Sequence, residues 1–276
     1  MFNLFKHEIR SRWRMILLWG LGLTAWGSIY IIIYPEIADQ MADMGDLDIV
    51  AAVGMDIATF EGFIASVLIQ IMPLILGFYV IMMATGTLAG EEEDGTLELV
   101  VAMPLKRWQV VASKTAALLI VIFLILVILG AGSALVLNYT IGENPDLTII
   151  IEPMQLFLGL LSSYFLMVAL FGMSLFFSAF MPNRRWALIV MLAIYIASYV
   201  GNSAANMVDS LDWLNNISIF SYTNTTATLF TDGPAAGDIA VLLGVGIVGF
   251  LLALWSFEGR NITVGQWIWQ RNQSPA

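Results

Sequence analysis

Six long stretches without a charged side chain follow one another along the chain, separated and flanked by segments that carry all the charged residues. They cover residues 15–34, 63–89, 116–137, 154–180, 186–205 and 239–257. A bilayer core of about 30 Å needs roughly 20 helical residues. The pattern therefore predicts an all-α integral membrane protein with six transmembrane helices in a single transmembrane domain, residues 1–276. Pro73 lies inside the second stretch and predicts a kink there.

The first fourteen residues have apolar and basic positions on two faces of a helix. The two faces carry, respectively, Phe2, Phe5, Ile9 and Trp13, and Lys6, Arg10 and Arg14. This predicts an amphipathic interfacial helix over residues 1–14. Because the apolar stretch that follows is longer than that of a typical signal peptide, we expect an uncleaved first span.

The basic residues all fall on one side of the predicted membrane. Six spans put both termini on the same side, and that side carries Lys6, Arg10, Arg12, Arg14, Lys106, Arg107, Lys114, Arg184, Arg185, Arg260 and Arg271. The positive-inside rule then predicts cytoplasmic termini. The opposite face is strongly acidic, which argues against a nucleic-acid partner.

The two longest outer loops differ in composition. Residues 35–62 are acidic, which predicts a solvated loop. The alternative is a cation site, but the ligands of a Ca²⁺ loop recur with tighter periodicity. The last outer loop, residues 206–238, instead contains large apolar side chains: Trp213, Ile217, Ile219, Phe220, Tyr222, Leu229 and Phe230. Such side chains are costly to expose to water, so we expect this loop to cap the spans or to dip into the membrane.

Composition excludes several kinds of catalytic site. Hydrophobic residues make up 59% of the chain and charged residues 12%, far from the roughly 25% charged of soluble proteins. There is no cysteine, and His7 is the single histidine, so thiolate and histidine-rich metal sites are excluded. We expect a non-catalytic chain that holds no cofactor.

Two glycine patterns need separate interpretation. The chain has no GxxxxGK[ST] phosphate-binding loop, so any ATP hydrolysis must occur on another chain. Gly244, Gly246 and Gly249 match GxGxxG, but no predicted strand precedes them. We interpret these glycines, and Gly86 with Gly90, as positions of close helix packing.

The predicted spans contain polar residues but no charged ones. Candidate residues for a substrate pathway are Gln70, Tyr164, Tyr195, Asn202 and Asn206. Hydrogen bonds between helices explain each of them equally well. The absence of intramembrane charge weighs against an ion-coupled carrier and favours a lipophilic or amphiphilic substrate.

The segment between the second and third spans, residues 90–115, is the longest charged insertion on the predicted cytoplasmic side. Four acids, Glu91, Glu92, Glu93 and Asp94, precede Gly95. Residues 96–103 then predict a short amphipathic helix that ends at Pro104. Its apolar face carries Leu97, Val100 and Val101, with Glu98 opposite.

This segment resembles the permease subunits of type-2 ATP-binding-cassette (ABC) exporters. The resemblance rests on Glu93, the run Gly95, Thr96, Leu97 and Glu98, then Pro104, Arg107 and Lys114. Residues 257–262, FEGRNI, resemble that family's ending, with Asn261 where an Asp is common. The six-span order and the amphipathic start agree with it, so the resemblance extends over essentially the whole chain.

The resemblance implies a set of partners. Two permease chains, here expected to be identical, would pair in the lipid, and two ATPase chains that hold ATP and Mg would bind below them. Residues 96–103 would be the coupling helix and residues 1–14 the connecting helix. The implied coupling residues are Glu91, Glu93, Gly95, Thr96, Leu97, Glu98, Val100, Val101, Pro104 and Arg107.

The predicted function is therefore the permease subunit of an ABC transporter, multi-pass in the cell membrane and most in keeping with a prokaryotic inner membrane. It would export a drug, lipid or peptide of lipophilic or amphiphilic character. The alternatives are an ion-coupled carrier, a membrane-embedded enzyme, and a permease-like sensor or scaffold.

Overall fold

A computed structural model describes residues 2–45, 59–90, 106–145, 149–223 and 228–259. All regular structure in these ranges is helical. The α-helical elements are α1 (Phe2–Ser11), α2 (Trp13–Gly45), α3 (Phe60–Gly90), α4 (Arg107–Glu143), α5 (Pro153–Phe180), α6 (Arg184–Met207), α7 (Thr228–Asp232) and α8 (Ala236–Gly259). Two 3₁₀ segments, Asp209–Asn216 and Ile219–Tyr222, lie between α6 and α7.

The prediction of six spans is confirmed, because six of these helices, α2 to α6 and α8, are long and apolar enough to cross a membrane. Each predicted stretch lies inside one helix. The third spanning helix, α4, is much longer than its uncharged stretch, because it begins at Arg107. It therefore includes the last part of the predicted loop 90–115. A helix occurs where the interfacial helix over residues 1–14 is predicted: α1 ends at Ser11, and its location at a membrane surface stays a prediction.

Helix α5 occupies the centre of the bundle. It packs against α3, α4, α6 and α8, while α2 packs against α4 and α1 lies along the beginning of α4. We call the end of the bundle with α1, Arg107 and Arg184 the basic end, and the other the acidic end. Buried apolar side chains of α3, α4 and α5 form most of the core.

Glycines bring α5 and α8 into backbone contact. A Cβ on Gly172 would overlap with the backbone of Gly246, and one on Gly249 would overlap with the backbone of Gly172. Gly244 has no such neighbour. The interpretation of the GxGxxG pattern as helix packing is therefore confirmed for Gly246 and Gly249.

Helix α3 is interrupted twice by π-helical geometry. The first interruption, Ala65–Ile71, precedes Pro73, and we call it the proline π segment. The second, Gly86–Gly90, forms the end of the helix at the basic end, and we call it the glycine π segment. A π-helix has hydrogen bonds of wider spacing than an α-helix, and such segments are frequent at functional sites.

The loop between α6 and α8 caps the acidic end, and the prediction of a cap is confirmed for part of this loop. Ile219, Phe220, Leu229 and Phe230 are buried. Phe220 packs against the rings of Tyr195 and Tyr199 on α6, with centroids 5.3 and 5.4 Å away. Trp213 and Ile217 are instead 56% and 72% exposed on this chain, so the cap does not include them.

The turn between α5 and α6 has a clear local cause. Met181 is extended, as expected for a residue before proline, and this ends α5. Asn183 then caps α6, its side-chain oxygen accepting a hydrogen bond from the amide of Trp186 at 3.1 Å. The turn places Arg184, the first residue of α6, beside the end of α3.

Candidate coupling and pathway sites

An ion pair fastens α1 to α4 at the basic end. The ammonium group of Lys114 is 3.6 Å from one carboxylate oxygen of Glu8, and the other oxygen lies 3.4 Å from Nε of Arg12. The side chain of Lys114 is only 2% exposed. A buried ammonium is stable only with such partners, so displacing α1 would be costly.

Arg107 connects the beginning of α4 to the end of α8. Its guanidinium donates a hydrogen bond to the carbonyl of Phe257 at 3.3 Å and lies 5.9 Å from the centre of that ring. Of the coupling residues named above, Arg107 is the one that the structure describes. Glu91, Glu93, Gly95, Thr96, Leu97, Glu98, Val100, Val101 and Pro104 lie outside the described residues, and their role stays a prediction.

Ser178 of α5 contacts three backbone groups of α3. Its hydroxyl donates to the carbonyl of Thr85 at 2.8 Å and accepts from the amides of Leu88 and Ala89 at 3.3 and 3.1 Å. These groups lie on both sides of the beginning of the glycine π segment. Ser178 therefore supplies hydrogen bonds at a point where the helical bonding pattern changes.

Arg184 lies on the glycine π segment. Its guanidinium donates to the carbonyl of Met82 at 3.3 Å. A Cβ on Gly86 or Gly90 would be 3.3 or 3.1 Å from the Arg184 side chain. The predicted close packing at these two glycines is thus found with an arginine side chain rather than with a helix backbone.

Two of the candidate pathway residues take part in contacts between segments. Tyr195 is fully buried, and its hydroxyl donates to the carbonyl of Pro73 on α3 at 2.6 Å. The amide of Asn202 donates to the side-chain oxygen of Asn215 at 2.9 Å, which holds the 3₁₀ segment against α6. Both contacts match the alternative of hydrogen bonding between segments.

The other three candidates have different surroundings. Gln70 lies in the proline π segment and is partly exposed. Tyr164 packs edge-on against Phe123 of α4 at 5.6 Å, and Asn206 is exposed near the end of α6. These contacts do not bring the five side chains into one site, and their role in transport stays a prediction.

A second buried charge lies at the acidic end. Glu61 is 7% exposed, and its carboxylate accepts hydrogen bonds from the amides of Ile150 and Ile151 at 2.6 and 3.3 Å. It thus holds the segment before α5 against α3. Among the described residues, no group of three or more His, Asp or Glu side chains is placed to hold a metal ion.

An apolar groove opens between α2 and α3 within the spans. It has a volume of about 360 Å³ and is lined by Leu18, Trp19, Gly22, Leu23, Trp26 and Ile75. Trp19 also packs on Tyr79 with ring centroids 4.8 Å apart. The lining offers aromatic and aliphatic surface but no charged group.

Sequence reasoning did not find Ser178, Arg184 or Glu61 as structural contacts. A single serine in an apolar stretch carries no signal of its partner. Arg184 contributed only to the charge count, and Glu61 was assigned to a solvated acidic loop, which is wrong for this residue because its carboxylate is buried against backbone amides.

Together these observations define a polytopic helical membrane protein whose side chains tie helix ends together at both faces. The model of the family described as ABC-2 family transporter protein matches residues 2–262, and the chain belongs to that family. Members are the membrane component of a transporter, and membership implies an ABC ATPase as partner. The comparison with curated proteins finds no match.

Proposed function

We propose that this chain is the membrane half of an ABC exporter whose ATP is hydrolysed by separate ATPase subunits. The observation that carries the proposal is the family match over residues 2–262. The absence of a phosphate-binding loop from the sequence supports the division of labour between chains.

The basic end is the proposed docking side for the ATPase. The charge asymmetry of the sequence favours a cytoplasmic location for this end. Here α1 is paired to α4 through Glu8 and Lys114, and Arg107 joins α4 to α8. A partner that moves one of these helix ends would therefore act on several spans at once.

The proposed contact with the ATPase is the segment 96–103, with Leu97 and Val101 on its apolar face. An amphipathic helix can bind in an apolar groove of a partner, and Glu91 and Glu93 offer charge to a basic rim. ATP-driven closing of the ATPases would then bias the spans between two states.

The proposed substrate is lipophilic or amphiphilic. The predicted spans have no charged side chain, and the groove between α2 and α3 has an uncharged, largely apolar lining. A strongly ionic substrate would require compensating charges at this depth. Transport of such a substrate by the purified complex would contradict this part of the proposal.

Copurification tests the proposed function. In gentle detergent the chain should bring down an ATPase with a phosphate-binding loop, and the pair should hydrolyse ATP. The double variant Leu97→Asp and Val101→Asp should lose the ATPase, since it places charge on the apolar face. The matched control, Leu97→Met and Val101→Ile, keeps that face apolar and should retain the ATPase.

Two results would contradict the proposal. The first is a chain that carries out transport or catalysis with no ATPase attached. The second is an aspartate variant that keeps the ATPase as well as the control does, which would remove segment 96–103 as the contact.

A second copy of the chain is the proposed partner within the membrane. Only 17% of the apolar window of α6 is buried within this chain, against 61% for α3. A cysteine at the exposed position Val200 should therefore cross-link two copies in native membranes. The control Ala187→Cys, buried on the same helix, should not. Absence of cross-links from every exposed position on α6 would count against pairing through this helix.

A further inference from the structure

The glycine π segment is the last described part of α3 before residues 91–105. We propose that Ser178 and Arg184 are positioning residues that transmit movement of the end of α3 to α5 and α6. The inference rests on the proposed function, because it assumes that an ATPase moves this part of the chain. We call the contacts of Ser178 and Arg184 with the end of α3 the clamp, and the clamp can be tested without an ATPase.

Side chains satisfy the backbone of α3 around this segment. Four consecutive or near-consecutive carbonyls accept hydrogen bonds from them: Ile81 from Thr85, Met82 from Arg184, Met83 from Thr87 and Thr85 from Ser178. Two of these donors lie on α3 itself, and the other two belong to α5 and α6. The geometry of the segment therefore depends on both neighbouring helices.

Ser178 uses the full capacity of its hydroxyl. The group has one proton to donate and two lone pairs to accept, and it bonds one carbonyl and two amides. The carbonyl of Thr85 precedes the π segment, whereas the amides of Leu88 and Ala89 lie within it. The segment cannot shift by one residue without breaking these bonds or moving α5.

Arg184 provides the corresponding contact from α6. Gly86 and Gly90 have no side chains, and the arginine side chain occupies the space beside them. Because Arg184 is the first residue of α6, displacement of the π segment would disturb the contacts that this helix makes with α3. One joint at the end of α3 thus acts on two further spans.

A π segment is suited to transmit movement in this way, because its hydrogen bonds can rearrange locally. Change of one π turn to α geometry alters the register by one residue, which rotates the following chain by on the order of 100° and shifts it by about 1.5 Å. The rearranged bonds are few and local, so two discrete states are available. An element with two discrete arrangements can carry coupling between distant sites.

Hydrogen exchange of the chain in lipid nanodiscs tests the clamp. Ser178→Ala should speed exchange at Leu88 and Ala89 about tenfold, because their side-chain acceptor is lost. Ser174→Ala is the matched control: Ser174 is buried one turn earlier on α5 and bonds only the Leu170 carbonyl of its own helix. Equal exchange in Ser178→Ala and the unmodified chain would overturn the clamp.

Arg184→Ala should also raise exchange within the glycine π segment. Its control is Arg185→Ala, whose side chain is exposed on the first turn of α6. Unchanged exchange in Arg184→Ala would remove Arg184 from the proposal.

Spin-label distances in the complex with the copurified ATPase test transmission. The chain has no cysteine, so the double variant Lys106→Cys and Arg185→Cys carries one label at each of two exposed positions at the basic end. ATP should change the distance between the labels in the parent chain. Ser178→Ala should reduce this change at least twofold while the ATPase stays bound, and Ser174→Ala should retain it.

A full ATP-dependent change in Ser178→Ala would overturn transmission through this serine. Failure of any ATPase to bind the parent chain would instead contradict the proposed function, and the transmission step with it. The exchange experiment would still decide whether the clamp exists.

Discussion

The two π segments of α3 differ in what holds them. The proline π segment has a cause within the chain itself, because Pro73 has no amide proton to bond the carbonyl of Ile69 one turn earlier. The glycine π segment contains no proline. Ser178 of α5 accepts hydrogen bonds from two of its amides, and Arg184 of α6 donates to the carbonyl of Met82, one turn before it. One interruption is thus explained by covalent structure and the other by packing.

Helix α6 contacts α3 near both segments. Tyr195 donates to the carbonyl of Pro73, and Arg184 lies over Gly86 and Gly90. The first contact is a short hydrogen bond in a sealed core, whereas the second is made by a long, flexible side chain. We therefore expect the proline π segment to be rigid and the glycine π segment to tolerate change.

Gly77→Ala should lower the free energy of unfolding more than any other variant considered below. An added Cβ would overlap with the hydroxyl and ring of Tyr195, which is fully buried and has no room to move. The substitution should lower the free energy of unfolding by about 3 kcal/mol through overpacking and loss of the bond to Pro73. Unfolding in detergent would measure it, and a change near zero would show that the contact between α3 and α6 is loose.

Tyr195→Phe should have a smaller effect, about 1 kcal/mol, since it removes the hydrogen bond but keeps the ring. Tyr199→Phe on the same helix is the control, because the Tyr199 ring also packs on Phe220, with centroids 5.4 Å apart against 5.3 Å for Tyr195. Equal unfolding midpoints for the two variants would mean that the bond to Pro73 contributes nothing.

Pro73→Ala tests the cause assigned to the proline π segment. Alanine restores an amide that can bond the carbonyl of Ile69, so residues 65–71 should return to α geometry. We expect a change in unfolding free energy within about 1 kcal/mol, because the restored bond offsets the loosened contact with Tyr195. A structure of the variant would decide, and persistence of the π segment would rule out the proline as its cause.

Gly86→Ala should have the smallest effect. Its Cβ would be 3.3 Å from the end of the Arg184 side chain, which can shift by a few tenths of an ångström. The unfolding free energy should change by less than about 1 kcal/mol, because alanine also favours helical structure. A loss as large as that of Gly77→Ala would show that the glycine π segment is as rigid as the proline one.

The long-range contacts could not be predicted because their partners are distant in sequence. Ser178 and Thr85 are 93 positions apart, and Tyr195 and Pro73 are 122 apart. A hydroxyl in an apolar stretch must find some acceptor, but many backbone carbonyls are equally suitable. The proposed coupling residues before Arg107 remain predictions from the sequence, since the structure does not describe them.

The sequence by itself determined the number of spans, their approximate limits and the amphipathic start. The reason is that transfer of charged groups and unpaired backbone into lipid is so costly that length and charge pattern decide these features locally. Only the tertiary structure decided which glycines meet, as Gly172 does with Gly246, and which side chains bond α3. Those choices depend on helix register and shape, because in lipid all apolar faces are nearly equivalent until the helices pack.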